Sequence, residues 1–340
     1  MKGRNQKGMR RLIVNAVIFA VVMALTFWSV FRGQDFTKIV AAVRQMSGTH
    51  MAAAVFLAVF FVAGEGCMIW YLLRGIGEQP TLLRCMSYSF IGFFFSGITP
   101  SATGGQPMQL YYMRRDGNAL SASSVVLMTV AVIYKFVLVL IGIGIVLFWR
   151  KPLRTYLRGY FGLYFLGLLL NVVLVAVLLM VMFSPGIIWR GFCGIEKVMI
   201  HLRLWKETES RRDRVELFLS GYRETVDFLR KHKRLIVTAI AGTFVQRCSV
   251  FVLTAVVYRG LGLSGTAVLD VVLVQAAVYI AVDMLPVPGA QGISEAMYRS
   301  VFRDIFVGNT LVVSVCITRG ISFYLVMLIG LMVFCVSGRR

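Results

Sequence analysis

The sequence predicts an all-α polytopic membrane protein, whose chain crosses the bilayer several times. Of its 340 residues, 58% are hydrophobic, and the mean hydropathy is +0.78. A soluble domain of this composition would have more apolar surface than its core could bury. The formal net charge is nevertheless +21, so most charged residues must lie outside the apolar runs. We therefore expect the basic segments to face a membrane surface, with no nucleic acid as partner.

Six apolar runs are long enough to cross about 30 Å of hydrocarbon as helices. They comprise residues 11–31, 50–73, 121–148, 160–183, 235–258 and 308–336.

Two shorter apolar stretches, residues 83–98 and 267–285, each lead into a segment rich in proline and glycine. These breaks read TPSATGGQP (Thr99–Pro107) and LPVPGAQG (Leu285–Gly292). Irregular backbone at membrane depth is tolerated only where protein or a water-filled cavity surrounds it. We therefore predict two re-entrant or broken helical hairpins, over about 83–118 and 267–306.

Basic residues favour cytoplasmic termini. Five Lys/Arg residues lie between positions 2 and 11, up to the start of the first run. The 184–234 linker holds 12 Lys/Arg against 7 Asp/Glu, and the chain closes on Arg339 and Arg340. The positive-inside rule places all three segments in the cytoplasm. The 149–159 loop, with four basic residues, would then lie outside, against the rule.

The order of segments predicts an inverted repeat. Residues 1–150 and 160–336 each contain span, span, broken hairpin and span. The motif GGQP (104–107) aligns with GAQG (289–292), and Arg114 and Arg299 each follow the motif's glutamine by eight residues. Such repeats place substrate sites between half-helices near the bilayer midplane. The predicted units are 1–150, 151–234 (a span plus the linker) and 235–340.

The linker carries two helical patterns of apolar residues, at 195–202 and 215–229. We interpret them as amphipathic helices lying on the cytoplasmic membrane surface. The alternative is a separate regulatory or partner-binding module.

Ionisable residues inside the spans indicate a functional site, because burying them in a membrane is costly. Lys135, Arg247 and Arg319 lie near the centres of their runs, and the surplus of cations predicts a cavity suited to an anion. The alternative is internal pairing of Arg247 or Arg319 with Asp283 or Glu295. The remaining ionisable residues in or near the membrane are Glu65 and Asp270.

Each break could add a helix N-terminus that binds an anion. In the first, Ser101 or Thr103 would cap a helix that starts near Gly105, where glycine allows a head group to approach. In the second, prolines stop one helix and Gly289 opens the next.

Motifs of soluble enzymes and metal-binding clusters are absent, so we expect no cofactor, no metal and no catalytic residue. The six cysteines and three histidines show no ligand spacing.

The two breaks, extended as TPSATGGQPMQLYYMRRDG and LPVPGAQGISEAMY, resemble the signature segments of the lysylphosphatidylglycerol synthase transmembrane family. The resemblance covers nearly the whole chain. That family forms the membrane part of the bacterial multiple peptide resistance factor. The resemblance therefore implies the activity assigned to that part, which is to flip aminoacylated phosphatidylglycerol across the membrane. A separate cytosolic domain of full-length relatives transfers lysine from lysyl-tRNA to phosphatidylglycerol. Because the chain ends at Arg340, soon after its last span, we expect it to lack that domain.

The residues that the resemblance implies as signature positions are Pro100, Gly104, Gly105, Gln106, Arg114, Pro286, Pro288, Gly289, Gly292 and Glu295. The full set of substrate-binding candidates is Thr99, Pro100, Thr103, Gly104, Gly105, Gln106, Arg114, Lys135, Arg247, Asp283, Pro288, Gly289, Gln291, Glu295, Arg299 and Arg319.

The first hypothesis is a flippase-like translocase of an anionic or aminoacylated phospholipid in the bacterial cell membrane. Its phosphate would bind the half-helix N-termini and the cations, while Glu295 and Asp283 would bind an aminoacyl ammonium. The alternatives are phosphatidylglycerol lysyltransferase, or a membrane subunit of it, and a scaffold for a partner lipid-modifying enzyme. The expected partners are a membrane phospholipid and either a separate synthase or further copies of the chain.

Overall fold

The computed structural model describes residues 44, 46–99, 102–184, 186–187, 189–190, 193, 196, 209–284, 293–308 and 310–337. Every regular element in these ranges is a helix, which confirms the all-α polytopic class. Among the described residues, five helices are long and apolar enough to cross a membrane. The predicted span 11–31 lies outside the described residues.

The helices in chain order are α1 (Gly48–Gly75), α2 (Leu82–Ile98), α3 (Gly105–Arg115), α4 (Leu120–Phe148), α5 (Arg150–Leu157), α6 (Phe161–Phe183), α7 (Glu209–Lys231), α8 (Lys233–Gly260), α9 (Val268–Val282), α10 (Ile293–Val301), α11 (Thr310–Arg319) and α12 (Val326–Ser337). The last two are joined by a π-helical turn, Gly320–Leu325, and with it form one apolar span.

The predicted spans from 50–73 onward correspond to α1, α4, α6, α8 and the α11–α12 helix, with ends within about three residues. The short apolar stretches correspond to α2 and α9. Helices α1 and α8 are each 28 residues long and end on similar motifs, Arg-Gly-Ile-Gly and Arg-Gly-Leu-Gly. The final glycines, Gly77 and Gly262, have positive φ angles of 96° and 77°, a conformation that glycine adopts at little cost.

Helices α1 and α8 pack side by side through small residues. A Cβ atom on Gly64 would lie 3.0 Å from Gln246 Cγ, and one on Gly242 would lie 2.8 Å from Met68 Sδ. On the other side of α1, a Cβ on Gly66 would lie 2.5 Å from Met86 Cα of α2. Small residues at these contacts let helix backbones approach closely in a membrane.

The 149–159 segment is a helix, α5, and not the loop that we expected. Its two leucines, Leu153 and Leu157, are four residues apart and fully buried, so they anchor one face of the helix to the bundle. The preceding Trp149 donates its indole N–H to Asp270 Oδ1 over 3.0 Å. Eight residues rich in charge and containing Pro152 gave too short a periodic pattern to reveal this helix.

The predicted amphipathic helix at 215–229 is confirmed as part of α7, but its apolar face contacts protein. Leu219, Tyr222, Val226 and Leu229 are at most 5% exposed, and α7 packs against α4. The interpretation of a helix that rests its apolar face on the membrane surface is therefore wrong for α7. Most of the other predicted helix, 195–202, lies outside the described residues.

Candidate functional site

Polar side chains from five helices meet near the middle of the bundle. We call this group the central cluster. Its members are Glu65, Gln109, Tyr134, Lys135, Arg247, Tyr279 and Asp283. Because α1, α3, α4, α8 and α9 each supply a residue, the cluster joins the first predicted half of the chain to the second.

Arg247 is the most deeply buried charged residue among those described, with 0% of its surface exposed near the middle of α8. Its Cζ atom lies 3.1 Å from the ring centroid of Tyr134 and 5.0 Å from that of Tyr279. The two phenols share a hydrogen bond of 3.2 Å. Within the described part of the chain, none of its three guanidinium nitrogens makes a hydrogen bond of normal geometry, although the Tyr279 side chain is close enough to act on the charge. The aromatic rings stabilise the charge but leave its N–H donors unused.

Lys135 forms the cluster's ion pair. Its Nζ atom lies 2.5 Å from Asp283 Oδ2 and 3.5 Å from the Met284 sulfur. The side chains are only 17% and 8% exposed, so solvent screens the pair weakly. Asp283 therefore pairs with Lys135, and not with Arg247 or Arg319 as the internal-pairing alternative supposed.

This pairing corrects the predicted surplus of positive charge at the centre. With Glu65 on α1, the cluster holds two cations and two carboxylates. Glu65 and Asp283 both act on Arg247 electrostatically, although neither forms a salt bridge with it among the described contacts. The centre therefore holds as many carboxyl groups as cations, and its salt bridge among the described contacts is the one between Lys135 and Asp283.

Gln109 is a cluster residue that the sequence reasoning missed. Its Nε2 atom donates to Glu65 Oε1 over 2.7 Å, and the residue is 4% exposed. Gln106, the glutamine of the aligned motif, is instead exposed. Gly92 of α2 makes room for the buried amide, since a Cβ atom there would lie 2.5 Å from Gln109 Nε2. An uncharged residue three positions after the motif's glutamine gave no sequence signal of its own.

The first break leads into a helix that starts at Gly105, as predicted, but its groups are used within the protein. The Gly104 N–H donates to Thr99 Oγ1 over 2.9 Å, and that hydroxyl donates to the Phe95 carbonyl over 2.7 Å. A Cβ atom on Gly105 would lie 2.7 Å from the Gly92 carbonyl oxygen. These glycines therefore serve the contact between α2 and α3, and the predicted close approach of a head group at Gly105 is corrected. The predicted cap residue Ser101 lies outside the described residues.

The other candidates are dispersed. Thr103 and Arg114 are exposed, whereas Arg299 in α10 and Arg319 at the end of α11 are half-buried. Four candidates lie outside the described residues, and the side chain of a fifth does. They are Pro100, Pro288, Gly289 and Gln291, and the side chain of Glu295.

The arrangement can bind an ion pair or a zwitterion. It offers guanidinium donors, a lysine–carboxylate pair that can exchange partners, and a second carboxyl group on Glu65. Within the described ranges, no group of three or more His, Cys, Asp or Glu side chains is placed to hold a metal ion.

Comparison with known families gives one match along almost the entire chain. A family model described as the lysylphosphatidylglycerol synthase TM region matches residues 12–330. Comparison with curated proteins finds no significant match.

Proposed function

Since the chain belongs to the lysylphosphatidylglycerol synthase TM region family, we propose that it moves an anionic or aminoacylated phospholipid, such as lysylphosphatidylglycerol, between the leaflets of a bacterial cytoplasmic membrane. The observation that carries this proposal is Arg247, a wholly buried guanidinium whose donors have no partner among the described residues.

Such an arginine is expensive to keep in a membrane bundle. The effective penalty for burying a charge is several kcal/mol, and a desolvated cation–π contact returns about 2 kcal/mol. If the residue served only helix packing, a leucine or methionine at this position would stabilise the protein more than an arginine does. A guanidinium in this state has the geometry to hold two oxygens of a phosphate, which would satisfy the donors and neutralise the charge.

The neighbouring carboxylates suit the second charge of an aminoacylated head group. When the phosphate binds Arg247, the lipid's ammonium would lie near Glu65 or Asp283. Asp283 would exchange Lys135 for the lipid cation, and Gln109 would hold Glu65 in place through its 2.7 Å hydrogen bond. The acyl chains would remain in the bilayer while the head group crosses between the helices.

The ion pair between Lys135 and Asp283 supplies a closing contact for this path. It joins α4 to the end of α9, and thus the two predicted halves. Because Arg247 is fully buried, a head group reaches it only when the helices separate. If Asp283 left Lys135 and paired with the ammonium of a bound lipid, lipid binding would favour the arrangement in which the helices are separated.

The proposal includes an inverted repeat with both termini in the cytoplasm. The order α1, α2, α3, α4 is repeated as α8, α9, α10 and the α11–α12 helix, each series containing a long helix, two short ones and a long one. The matching C-terminal motifs of α1 and α8 support this correspondence. The positive-inside rule supplies the orientation.

A leaflet-exchange assay on the full chain in liposomes tests the proposal. We expect Arg247→Gln to slow exchange of a fluorescent phosphatidylglycerol at least tenfold, as loss of a charge-assisted contact implies. The matched control is Arg259→Gln, which makes the same change at an exposed position of the same helix. Wild-type exchange by the Arg247 variant would refute the proposal.

Lipid extracts separate translocation from lysyl transfer. We expect cells that express this chain without a synthase to contain no newly formed lysylphosphatidylglycerol. Its appearance would favour the lysyltransferase alternative.

A further inference from the structure

A polar cavity of about 460 Å³ lies at the end of the bundle where α2 begins and where α3 and α12 end. We call it the Arg84–Arg115 pocket. Its lining includes Arg84, Tyr88, Ile91, Tyr112, Arg115 and Asp116. Its size falls within the range of small-ligand sites. The central cluster shares none of its residues, and along α3 the pocket's Arg115 lies about 9 Å from Gln109, at 1.5 Å per residue.

The pocket lining has more hydrogen-bond donors than its one carboxylate, that of Asp116, accepts. Asp116 accepts a hydrogen bond of 2.8 Å from the Tyr88 hydroxyl. Its carboxylate oxygens are 4.0 Å from an Arg84 nitrogen and 3.6 Å from Arg115 Nε, which are ion-pair distances but too long for hydrogen bonds. Two guanidinium groups face one carboxylate that is already partly engaged by a phenol. The lining therefore carries one excess positive charge.

Arg115 is also held in place for binding. Its Cζ atom lies 4.4 Å from the ring centroid of Tyr112, which is buried. Stacking fixes the plane of the guanidinium, so less conformational entropy is lost when it binds a ligand. Arg84, at 54% exposure, can close over a ligand from the solvent side.

The position of the pocket points to a lipid as the source of the anion. Arg84 lies in the first turn of α2, and Ser337 is the last residue of α12, so the opening lies at the ends of apolar helices, where phospholipid phosphates lie. Two large apolar side chains flank it at the bundle surface, Leu83 at 76% exposure and Val336 at 63%. They offer apolar surface to an acyl chain beside a basic pocket.

We propose that the Arg84–Arg115 pocket binds the phosphodiester of an anionic phospholipid at the membrane face. Arg84 and Arg115 hold the phosphate oxygens. This inference does not rest on translocation, since a lipid bound here can be held in place without crossing the bilayer.

Binding of a water-soluble lipid to the purified full chain tests the proposal. Dihexanoyl-phosphatidylglycerol is titrated by isothermal calorimetry, and we expect saturable binding that Arg84→Gln and Arg115→Gln each weaken about tenfold. The matched control is Arg114→Gln, which removes the same charge from an exposed neighbour in the last turn of α3. Both arginines there also interact with the negative end of the helix dipole, so equal effects of the Arg114 and Arg115 variants would overturn the proposal.

Two further arms identify the source of the anion. We expect dihexanoyl-phosphatidylcholine, which has no net charge, and inorganic phosphate each to bind at least fivefold more weakly than the phosphatidylglycerol. Equal binding of inorganic phosphate would make this a site for soluble anions, and equal binding of the choline lipid would remove the preference for anionic lipid; either result overturns the proposal as stated. The titrations are repeated in the Arg247→Gln background, which removes the proposed transport site; the saturable binding that Arg84→Gln weakens should persist there, so its outcome is distinguishable from that of the exchange assay. If Arg115→Gln fails to fold, Arg84→Gln decides, because Arg84 is exposed and its ion pair is loose.

Discussion

Removal of one member of the central ion pair should destabilise the protein strongly. In Lys135→Met the side chain keeps nearly its length and loses its ammonium, which leaves Asp283, 8% exposed, without its partner at 2.5 Å. Breaking a buried pair in this way costs about 3–5 kcal/mol. At about 2 °C per kcal/mol for a large chain, the melting temperature should fall by about 6–10 °C.

The double variant Lys135→Met/Asp283→Leu should recover most of that loss. Replacing both charges by apolar groups of similar volume is often neutral or stabilising, so we expect a melting temperature within about 2 °C of the wild type. The coupling energy between the two positions would then be at least about 3 kcal/mol, well above the limit for independent sites.

The assay is thermal unfolding of the detergent-purified full chain, followed by circular dichroism, for all four members of the double-mutant cycle. Lys151→Met, at an exposed position of α5, controls for loss of positive charge. Additive effects in the double variant would show that the two side chains do not interact, which would refute the ion pair of the central cluster.

Three further outcomes are expected. Arg247→Met should leave the melting temperature unchanged or raise it, because it removes a buried charge that has no ion pair among the described residues; a fall of more than about 5 °C would contradict this. Gly105→Ala should destabilise the protein by about 2 kcal/mol through overpacking against α2, whereas Gly144→Ala, with no atom within 4 Å of the added methyl, should not; chemical denaturation of both variants decides. Tyr222→Ala should loosen α7 from α4 and speed tryptic cleavage within 209–231 severalfold, while Leu217→Ala, at 75% exposure, should leave the rate unchanged.

The long helices could be read from the sequence because the bilayer fixes their length. A run that spans the hydrocarbon must be apolar throughout and must satisfy its backbone internally. Helices α1, α4, α6 and α8 therefore begin and end close to the limits of their apolar runs. The short helices α2 and α9 were also visible, since proline and glycine follow their apolar stretches directly. Helix α5 was missed because eight residues with two buried leucines contain too little periodicity.

The candidate site was only partly readable. The position of a charge within an apolar run indicates its depth, which singled out Lys135, Arg247 and Asp283. It does not indicate which charges meet, since that depends on the rotation and packing of helices that are far apart in sequence. The choice of Gln109 over Gln106 likewise depends on which face of α3 lies against Gly92.

The sequence by itself determined the class of the protein, the lengths of its spans and the depth of its charges, because these follow from the cost of placing polar groups in hydrocarbon. Only the tertiary structure decided the partners. Lys135 and Asp283 are 148 residues apart and form the ion pair, while Arg247 stacks on the rings of Tyr134 and Tyr279 and keeps its donors unpaired within the described chain. Electrostatic and hydrogen-bond energies fall off within a few ångströms, so pairing is settled by helix packing and not by composition or periodicity.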